Sequence, residues 1–471
     1  MTTFAPTSLS GVRIAGEAAV VENPWTFTVT DAATDEPIAT LLGGGVAEAK
    51  SALDSSADAF PAWSDTPVAQ RVTALRAIAA ELLDKEKTED LTRLLSRETG
   101  KRLSEARAEV EFSAGFFDVY AELLESRTDT VLDVVPGVRH EVGQRPLGVV
   151  VVLTPWNFPL SLPARKIAPA LAAGCTVLFK PSEVAARSAL RLAEIIERHV
   201  PLGVVNTALG APEEISDVWL SDPRVRGLSF TGSTRVGRIL AAAVAPRFVR
   251  TVMELGGSSP FVVTEDADIA RAVDVLMIAK FRNNGQACIA ANTVWVHRSR
   301  QDEFVAKLTD AMNGLVLGDP LDPATTLGPL ATAGDAPRIA ELVEQAERGG
   351  ATTVRASVTV PDRGRFMAPV LSINPAADSR IVTEEIFGPA LAILAYDDVE
   401  EALAATRDND FGLGGYVVGP DDRAVEIARR LDVGIVGVNT ATPNTPQVPF
   451  GGLKDSGMGV ERVPRPGWMP S

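Results

Sequence analysis

The hydrophobic positions change period along the chain. Between about residues 45 and 125, apolar side chains recur at three-to-four spacing, as in VAEAKSALDSSADAFPAW and RVTALRAIAAELLDKEKTEDLTRLLSRETG. That spacing predicts amphipathic helices. The second stretch ends on Gly100, a residue suited to the left-handed turn that closes a helix. TVLDVVPGVRHEVGQRPLG then predicts two short strands around Pro136-Gly137. From residue 148 continuous apolar runs take over. GVVVVL, TVLF, VVNTAL, RGLSF and TVM read as strands of a parallel sheet, and ARKIAPALAAG and AARSALRLAEIIERH read as helices between them. A second such unit runs from about 260 to 430. It opens with the helix DADIARAVDVLMIAKF, capped by Asp266 or Asp268 and stopping near Gly285, and continues with the strand NTVWVH.

Alternating strands and helices predict a parallel α/β sheet, whose ligands bind outside the carboxyl ends of the strands. TPWNFP, KPSE, FTGS and ELGG each follow a predicted strand. Their polar residues are therefore expected to gather on one rim.

Composition narrows the chemistry. With 471 residues, 46% of them apolar, the chain is long enough for two to four domains at roughly 100–200 residues each. No apolar stretch approaches the ~18 residues of a membrane span, and the start, MTTFAPTSLSGVRIAGEAAV, is not expected to be a secretory leader. Only two cysteines occur, which fits a reducing cytoplasm. A net charge of −16 argues against a nucleic-acid partner. His140, His199 and His297 are scattered without metal-ligand spacing, so no metal site is expected. The chemistry is left to Cys, Glu, Asn, Lys or a bound cofactor.

Cys175, inside LAAGCTVLF, reads as a core residue. Cys288 lies instead in the polar loop FRNNGQACIAANT, where it is either a small packed residue or a nucleophile. The end of the preceding helix carries partial negative charge and does not lower a thiol pKa, so a nucleophile here needs a base or cation from elsewhere. Glu254, between TVM and Leu255-Gly256-Gly257, is a candidate base or a surface or capping carboxylate. Asn157, flanked by prolines in TPWNFP, is a candidate oxyanion donor or a turn residue. Lys180 and Glu183 in KPSE have the chemistry to hold ribose hydroxyls. Gly232 through Gly237 opens a helix whose N–H groups suit a phosphate.

Taken in order, PWNFP, KPSE, FTGSTRVG, MELGG, NNGQAC, EEIFGP, GVN and PFGGLKDSG resemble the aldehyde dehydrogenase superfamily, over about residues 20 to 462. The resemblance implies an α/β fold with three parts. A Rossmann-type cofactor domain would occupy 1–125 and 147–258, and a catalytic α/β domain 259–440. A small oligomerisation hairpin and bridging segment would take up 126–146 and 441–471. It implies that Cys288 attacks the aldehyde to give a thiohemiacetal, with the Asn157 side chain and the Cys288 N–H holding the oxyanion. Hydride loss to the nicotinamide would leave a thioester, which water activated by Glu254 would hydrolyse. The oxidised nicotinamide would be the cation that Cys288 lacks. Lys180 and Glu183 would hold the adenosine ribose, and Glu385 and Phe387 the nicotinamide ribose and ring. Thr154, Pro155, Trp156, Ser182, Gly232, Ser233 and Leu255 would line the cofactor. Lys166 is similar to a family lysine near the cofactor and a proton path. Glu254 implies a free acid rather than a coenzyme A thioester, and Glu183 implies NAD, with NADP left open.

Members of that family that oxidise succinic semialdehyde carry arginines at the positions of Arg165 and Arg282, which here are either a grip for a substrate carboxylate or two exposed arginines. A third contact is expected from Thr445 or its neighbour Asn444. Glutaric semialdehyde and uncharged or aromatic aldehydes remain alternatives. Ala290 stands where some relatives place a second cysteine. Glu461 matches a family glutamate near the active site. The end VPRPGWMPS departs from the family pattern, which leads us to expect a homo-oligomer (dimer or tetramer) of weakened assembly.

Overall fold

The computed structural model describes residues 8–127 and 129–461. Its first large sheet has eight strands, in the order Gly457–Met458, Arg250–Glu254, Val225–Thr231, Val149–Leu153, Thr176–Lys180, Val205–Ala208, Val12–Ile14 and Glu17–Ala18. The five strands from Arg250–Glu254 to Val205–Ala208 run parallel. Every residue of Val149–Leu153 and of Thr176–Lys180 is buried, which is why these strands read as unbroken apolar runs. Val149–Leu153 sits between the strand that follows it in sequence and Val225–Thr231. The winding direction reverses at that point, opening a crevice above the carboxyl ends.

A second sheet of seven strands has the order Thr352–Arg355, Val370–Ile373, Ala390–Tyr396, Ala291–His297, Ser259–Val263, Gly414–Val418 and Ile435–Val438. All its pairings are parallel except that of the edge strand Thr352–Arg355. The loop carrying Cys288 feeds its central strand Ala291–His297.

The helical region differs from the prediction at one point. The run ending at Gly100 is two helices, Val68–Leu83 and Lys85–Thr99. Asp84 breaks it: its carboxylate accepts the N–H groups of Glu86 (3.2 Å) and Lys87 (3.3 Å), capping the second helix. Gly100 closes that helix at φ 76°. Helix Leu103–Glu125 then packs across Val68–Leu83 and Ser161–Ala172. Asp268, rather than Asp266, caps helix Ile269–Phe281, which ends four residues short of Gly285. Asp266 instead accepts from the Thr264 hydroxyl.

The hairpin Thr130–Val135 and Val138–Val142 turns on Gly137 at φ 77°. Between 441 and 461 the chain joins the two large sheets. Gly457–Met458 adds antiparallel to Arg250–Glu254, and Leu453–Lys454 pairs with Phe411–Gly412, next to the second sheet. The sequence VPRPGWMPS lies outside the described residues. No helix among the described residues is long and apolar enough to cross a membrane.

Candidate active site

Asn283, Asn284 and Gly285 adopt φ of 51°, 58° and 78° in succession. This is the left-handed region, where asparagine and glycine are the residues least strained. A Cβ on Gly285 would stand 2.3 Å from the Gly388 carbonyl oxygen. The tight turn throws Cys288 back toward the first sheet, and side chains lock it there. Asn284 Nδ2 donates to the carbonyls of Gly100 (3.0 Å) and Pro329 (2.8 Å), and its Oδ1 accepts from Gly328 N–H (2.8 Å). Gln286 Oε1 accepts from Ala331 N–H (2.9 Å).

Cys288 is half-buried at the end of this turn. Burial, then the charges of Glu385 and Glu254, push its thiol up to about 12, against a smaller opposing effect of Arg165. Cys175 is a core residue, its sulfur accepting from Leu147 N–H (3.3 Å).

Glu254 ends strand Arg250–Glu254 and is 2% exposed, so it is neither a surface nor a capping carboxylate. Neither carboxylate oxygen has a hydrogen-bond partner among the described residues. Burial and the nearby Glu461 charge hold its carboxyl well above the usual range, while Lys166 and Arg165 oppose them. Lys166 Nζ donates to Glu461 Oε1 (2.5 Å), and Arg165 Nε lies 3.6 Å from Glu461 Oε2. Glu254 is thus a poorly solvated carboxyl beside an Arg–Lys–Glu cluster, an arrangement that suits a base required to work near neutral pH.

Asn157 is buried between the two sheets. Its Nδ2 donates to the Gln286 carbonyl (3.2 Å), two residues before Cys288. The Asn157 backbone carbonyl accepts from Lys101 Nζ (2.8 Å) and Asn283 Nδ2 (3.1 Å).

The crevice above the first sheet collects the predicted cofactor residues. Thr154 N–H donates to the Lys180 carbonyl (3.3 Å), and Gly232 N–H to the Glu254 carbonyl (3.0 Å), so TPWNFP, KPSE, FTGS and ELGG do share one rim. Pro155, Trp156, Ser182, Glu183 and Gly232 are half-buried and Ser233 is exposed. Ser182 and Ser233 accept from the N–H groups of Val184 (3.2 Å) and Val236 (3.4 Å). Leu255 is buried, its N–H bonded to the Ser456 carbonyl (2.8 Å). Lys180 Nζ donates to Glu183 (2.6 Å). Trp156 and Phe387 meet edge to face, with centroids 5.5 Å apart. Glu385 accepts from Gly257 N–H (3.3 Å), and burial pushes its carboxyl up to about 7. A Cβ on Gly257 would stand 2.3 Å from the Cys288 carbonyl oxygen, so glycine there lets the crevice wall close onto Cys288. The hydroxyls of Thr154 and Thr231 are buried without a partner among the described residues. Orphan hydroxyls, an under-used carboxylate and a glycine-walled rim at a switch point fit a dinucleotide.

On its other side Cys288 opens into a cavity of about 190 Å³. Its wall includes Phe112, Phe158, Leu162, Ile289 and Phe450, and its polar members include Lys101, Glu105, Glu109, Arg165, Arg282 and Asn444. Arg165 is 5% exposed and held between the Phe116 and Phe450 rings (4.9 and 4.4 Å), donating to Asn444 Oδ1 (2.5 Å). Arg282 is half-buried, and its guanidinium has no hydrogen-bond or ion-pair partner among the described residues. Thr445 is exposed and does not line the cavity. Pro446 packs on Gly115, where a Cβ would come within 3.0 Å of its ring, and Asn444 rather than Thr445 lines the cavity.

The sequence profile of the aldehyde dehydrogenase family matches residues 20–468. The chain belongs to that family. Among curated relatives, the glutarate-semialdehyde dehydrogenase of Pseudomonas putida is 36% identical over 453 residues, covering 95% of this chain and 93% of that one. The NADP(+) succinate-semialdehyde dehydrogenase of Escherichia coli is 36% identical over 456 residues, with the same coverage. A crystal structure of an Escherichia coli NADP-dependent enzyme superposes with a TM-score of 0.92 at 36% identity, covering 96% of this chain and 94% of that one.

This aldehyde dehydrogenase is therefore an oxidoreductase dependent on a nicotinamide dinucleotide. When bound, the nicotinamide supplies the hydride acceptor. The chain's own task is to hold a nucleophile, a base and an oxyanion donor around one carbonyl. Lys101 and Glu109 were not singled out from sequence, whereas Asn444 was named there as the alternative to Thr445. Lys101 carried one weak signal, a lysine directly after a helix-closing glycine.

Proposed function

We propose that this aldehyde dehydrogenase oxidises a short aldehyde bearing a carboxylate at its far end, succinic or glutaric semialdehyde in kind, to the free acid. The observation that carries this reading is Arg282, an unpaired guanidinium in the wall of the cavity that also holds Cys288. A half-buried guanidinium with no direct partner keeps its donors free, and a substrate carboxylate can take them up as a charged pair. Arg165 adds positive potential, although Asn444 and two rings already hold it. The names of the two relatives above support the same substrate class.

In this reading Cys288 Sγ, its proton released to solvent, attacks the carbonyl carbon, and the hydride that this carbon must lose to become a thioester would go to the bound nicotinamide. Asn157 Nδ2 leaves the Gln286 carbonyl to hold the oxyanion together with the Cys288 N–H. Glu254 later takes a proton from the water that cleaves the thioester, and Lys166 with Glu461 sets its charge. The test is NADH formation at 340 nm across a panel of aldehydes. Succinic or glutaric semialdehyde should exceed butanal and benzaldehyde in kcat/KM; the reverse order would favour an enzyme for neutral or aromatic aldehydes, for which Phe112, Phe158 and Phe450 are suited. Arg282→Ala should raise KM for the acid substrate by about 10- to 100-fold, the worth of one charged hydrogen-bonded pair, and leave butanal within about threefold.

We read NAD as the preferred cofactor. Glu183 opposes a 2′-phosphate, and Lys180, the cation beside it, is already committed to Glu183. Glu183→Ser should therefore remove a repulsion and release an ammonium. The NADP-to-NAD ratio of kcat/KM should rise by about tenfold or more, and an unchanged ratio would sink this assignment. We read the hairpin as an assembly surface for a homo-oligomer, since Val131, Leu132, Val134, Val135, Val138 and Val142 are exposed on it. Two unpaired cysteines agree with a cytoplasmic setting.

A further inference from the structure

A buried ion pair stands behind the reaction centre. Lys101 is 1% exposed and Glu109 5% exposed, and they are hydrogen-bonded to each other. Each has a second attachment. Lys101 Nζ donates to the Asn157 carbonyl (2.8 Å) and lies 4.4 Å from the centre of the Phe158 ring. Glu109 Oε1 accepts the N–H groups of Leu160 (2.9 Å) and Ser161 (3.2 Å), which open the helix bearing Arg165 and Lys166. A carboxylate there satisfies orphan donors and complements the helix dipole. One turn earlier on helix Leu103–Glu125, Glu105 accepts Asn283 N–H (3.2 Å) from the nucleophile loop. Two glutamates four residues apart thus hold the two halves of the site, and Lys101 ties the Asn157 peptide to the same helix.

Buried ion pairs add little net stability, because desolvation offsets their attraction. Such a pair is better explained by the place it fixes than by the stability it adds. The place fixed is the backbone of Asn157, whose side chain must hold a developing negative charge, and a displacement of about 1 Å in such a donor is expensive in rate.

We propose that Lys101 is a positioning residue for Asn157, acting through the Asn157 backbone carbonyl to keep its side-chain amide aimed at the oxyanion. This rests on the reading of Asn157 as oxyanion donor and Cys288 as nucleophile.

The experiment compares two reactions of the same sulfur. Aldehyde oxidation passes through an oxyanion, whereas alkylation of Cys288 by iodoacetamide, a displacement at saturated carbon, does not. The variant is Lys101→Met with Glu109→Gln, which leaves no unpaired buried charge and keeps an acceptor for Leu160 and Ser161. It should lower kcat about tenfold or more, with KM for NAD and the alkylation rate at alkaline pH within about twofold of wild type. Lys101→Gln with Glu109→Gln, a neutral hydrogen-bonding pair whose shorter side chain at position 101 does not reach the Asn157 carbonyl, is the second variant should the first not fold, and carries the same expectation. Equal losses of oxidation and alkylation would show a role in general integrity and overturn the proposal, as would an unchanged kcat. Asn157→Ala separates the two levels. If it leaves kcat intact, the reading of Asn157 itself fails. If it lowers kcat while the Lys101 variants do not, only the positioning role fails.

Discussion

Cys288→Ala is expected to lower aldehyde-dependent NADH formation by at least about 10⁴-fold, the scale of losing a covalent nucleophile. Binding of NAD, followed by fluorescence titration, should change by no more than a few-fold, because the crevice residues do not depend on the thiol for their positions. Cys288→Ser is expected to be nearly as inactive. In this environment the wild-type thiol is already pushed up to about 12 by burial and two carboxylates, and a hydroxyl in the same place is harder still to ionise. Residual turnover near wild type in either variant would remove Cys288 from the centre of the reaction.

Glu254→Gln should separate the two halves of the cycle. Acylation needs the sulfur and the oxyanion donors, whereas hydrolysis needs a base. The variant should give a burst of NADH approaching one equivalent per active site, then a steady rate lower by about 10²- to 10⁴-fold, the usual worth of a general base. A lag or a uniform loss without a burst would contradict this division. The pH dependence has a definite sign. Glu254 works only when ionised, and its pKa is raised by burial first and by Glu461 second. Turnover limited by hydrolysis should therefore climb with pH through a point above the ordinary carboxylate range. Glu461→Gln removes the like charge and frees Lys166 from its partner, and both changes favour ionised Glu254. The rising limb of kcat against pH should move to lower pH, yet stay above an ordinary glutamate because burial remains.

Much of the fold was legible because its strands are buried on both faces. GVVVVL and TVLF have no polar face to confuse with a helix, and their ends place the polar motifs. The break at Asp84 was hidden because the apolar period runs through it almost unshifted, and only the carboxylate's capping contacts reveal two helices. Cys288, Glu254 and Asn157 could be singled out as candidates because each lies in a short local pattern next to a strand or helix end, but their expected roles came from the resemblance to the family. Lys101 and Glu109 could not, since their meaning depends on Asn157 and Ser161, more than fifty positions away in sequence. Asn444 and Thr445 were alternatives in sequence, and only the structure puts Asn444 in the cavity wall and leaves Thr445 exposed. The two arginines were equivalent in sequence, and only the structure distinguishes the held Arg165 from the unpaired Arg282.

The resting state of Cys288 also bears on how long the enzyme survives. With its proton loss displaced far above neutral pH by burial first and by Glu385 and Glu254 second, the sulfur rests as the protonated thiol. Peroxides attack the thiolate and advance it toward irreversible sulfinic and sulfonic acids. The burial that makes the cysteine a poor nucleophile at rest, with the two carboxylates adding to it, therefore acts as its preservative between turnovers. On the proposed mechanism, reactivity belongs to the interval in which a cationic cofactor stands beside it, so damage should track cofactor occupancy rather than the age of the protein.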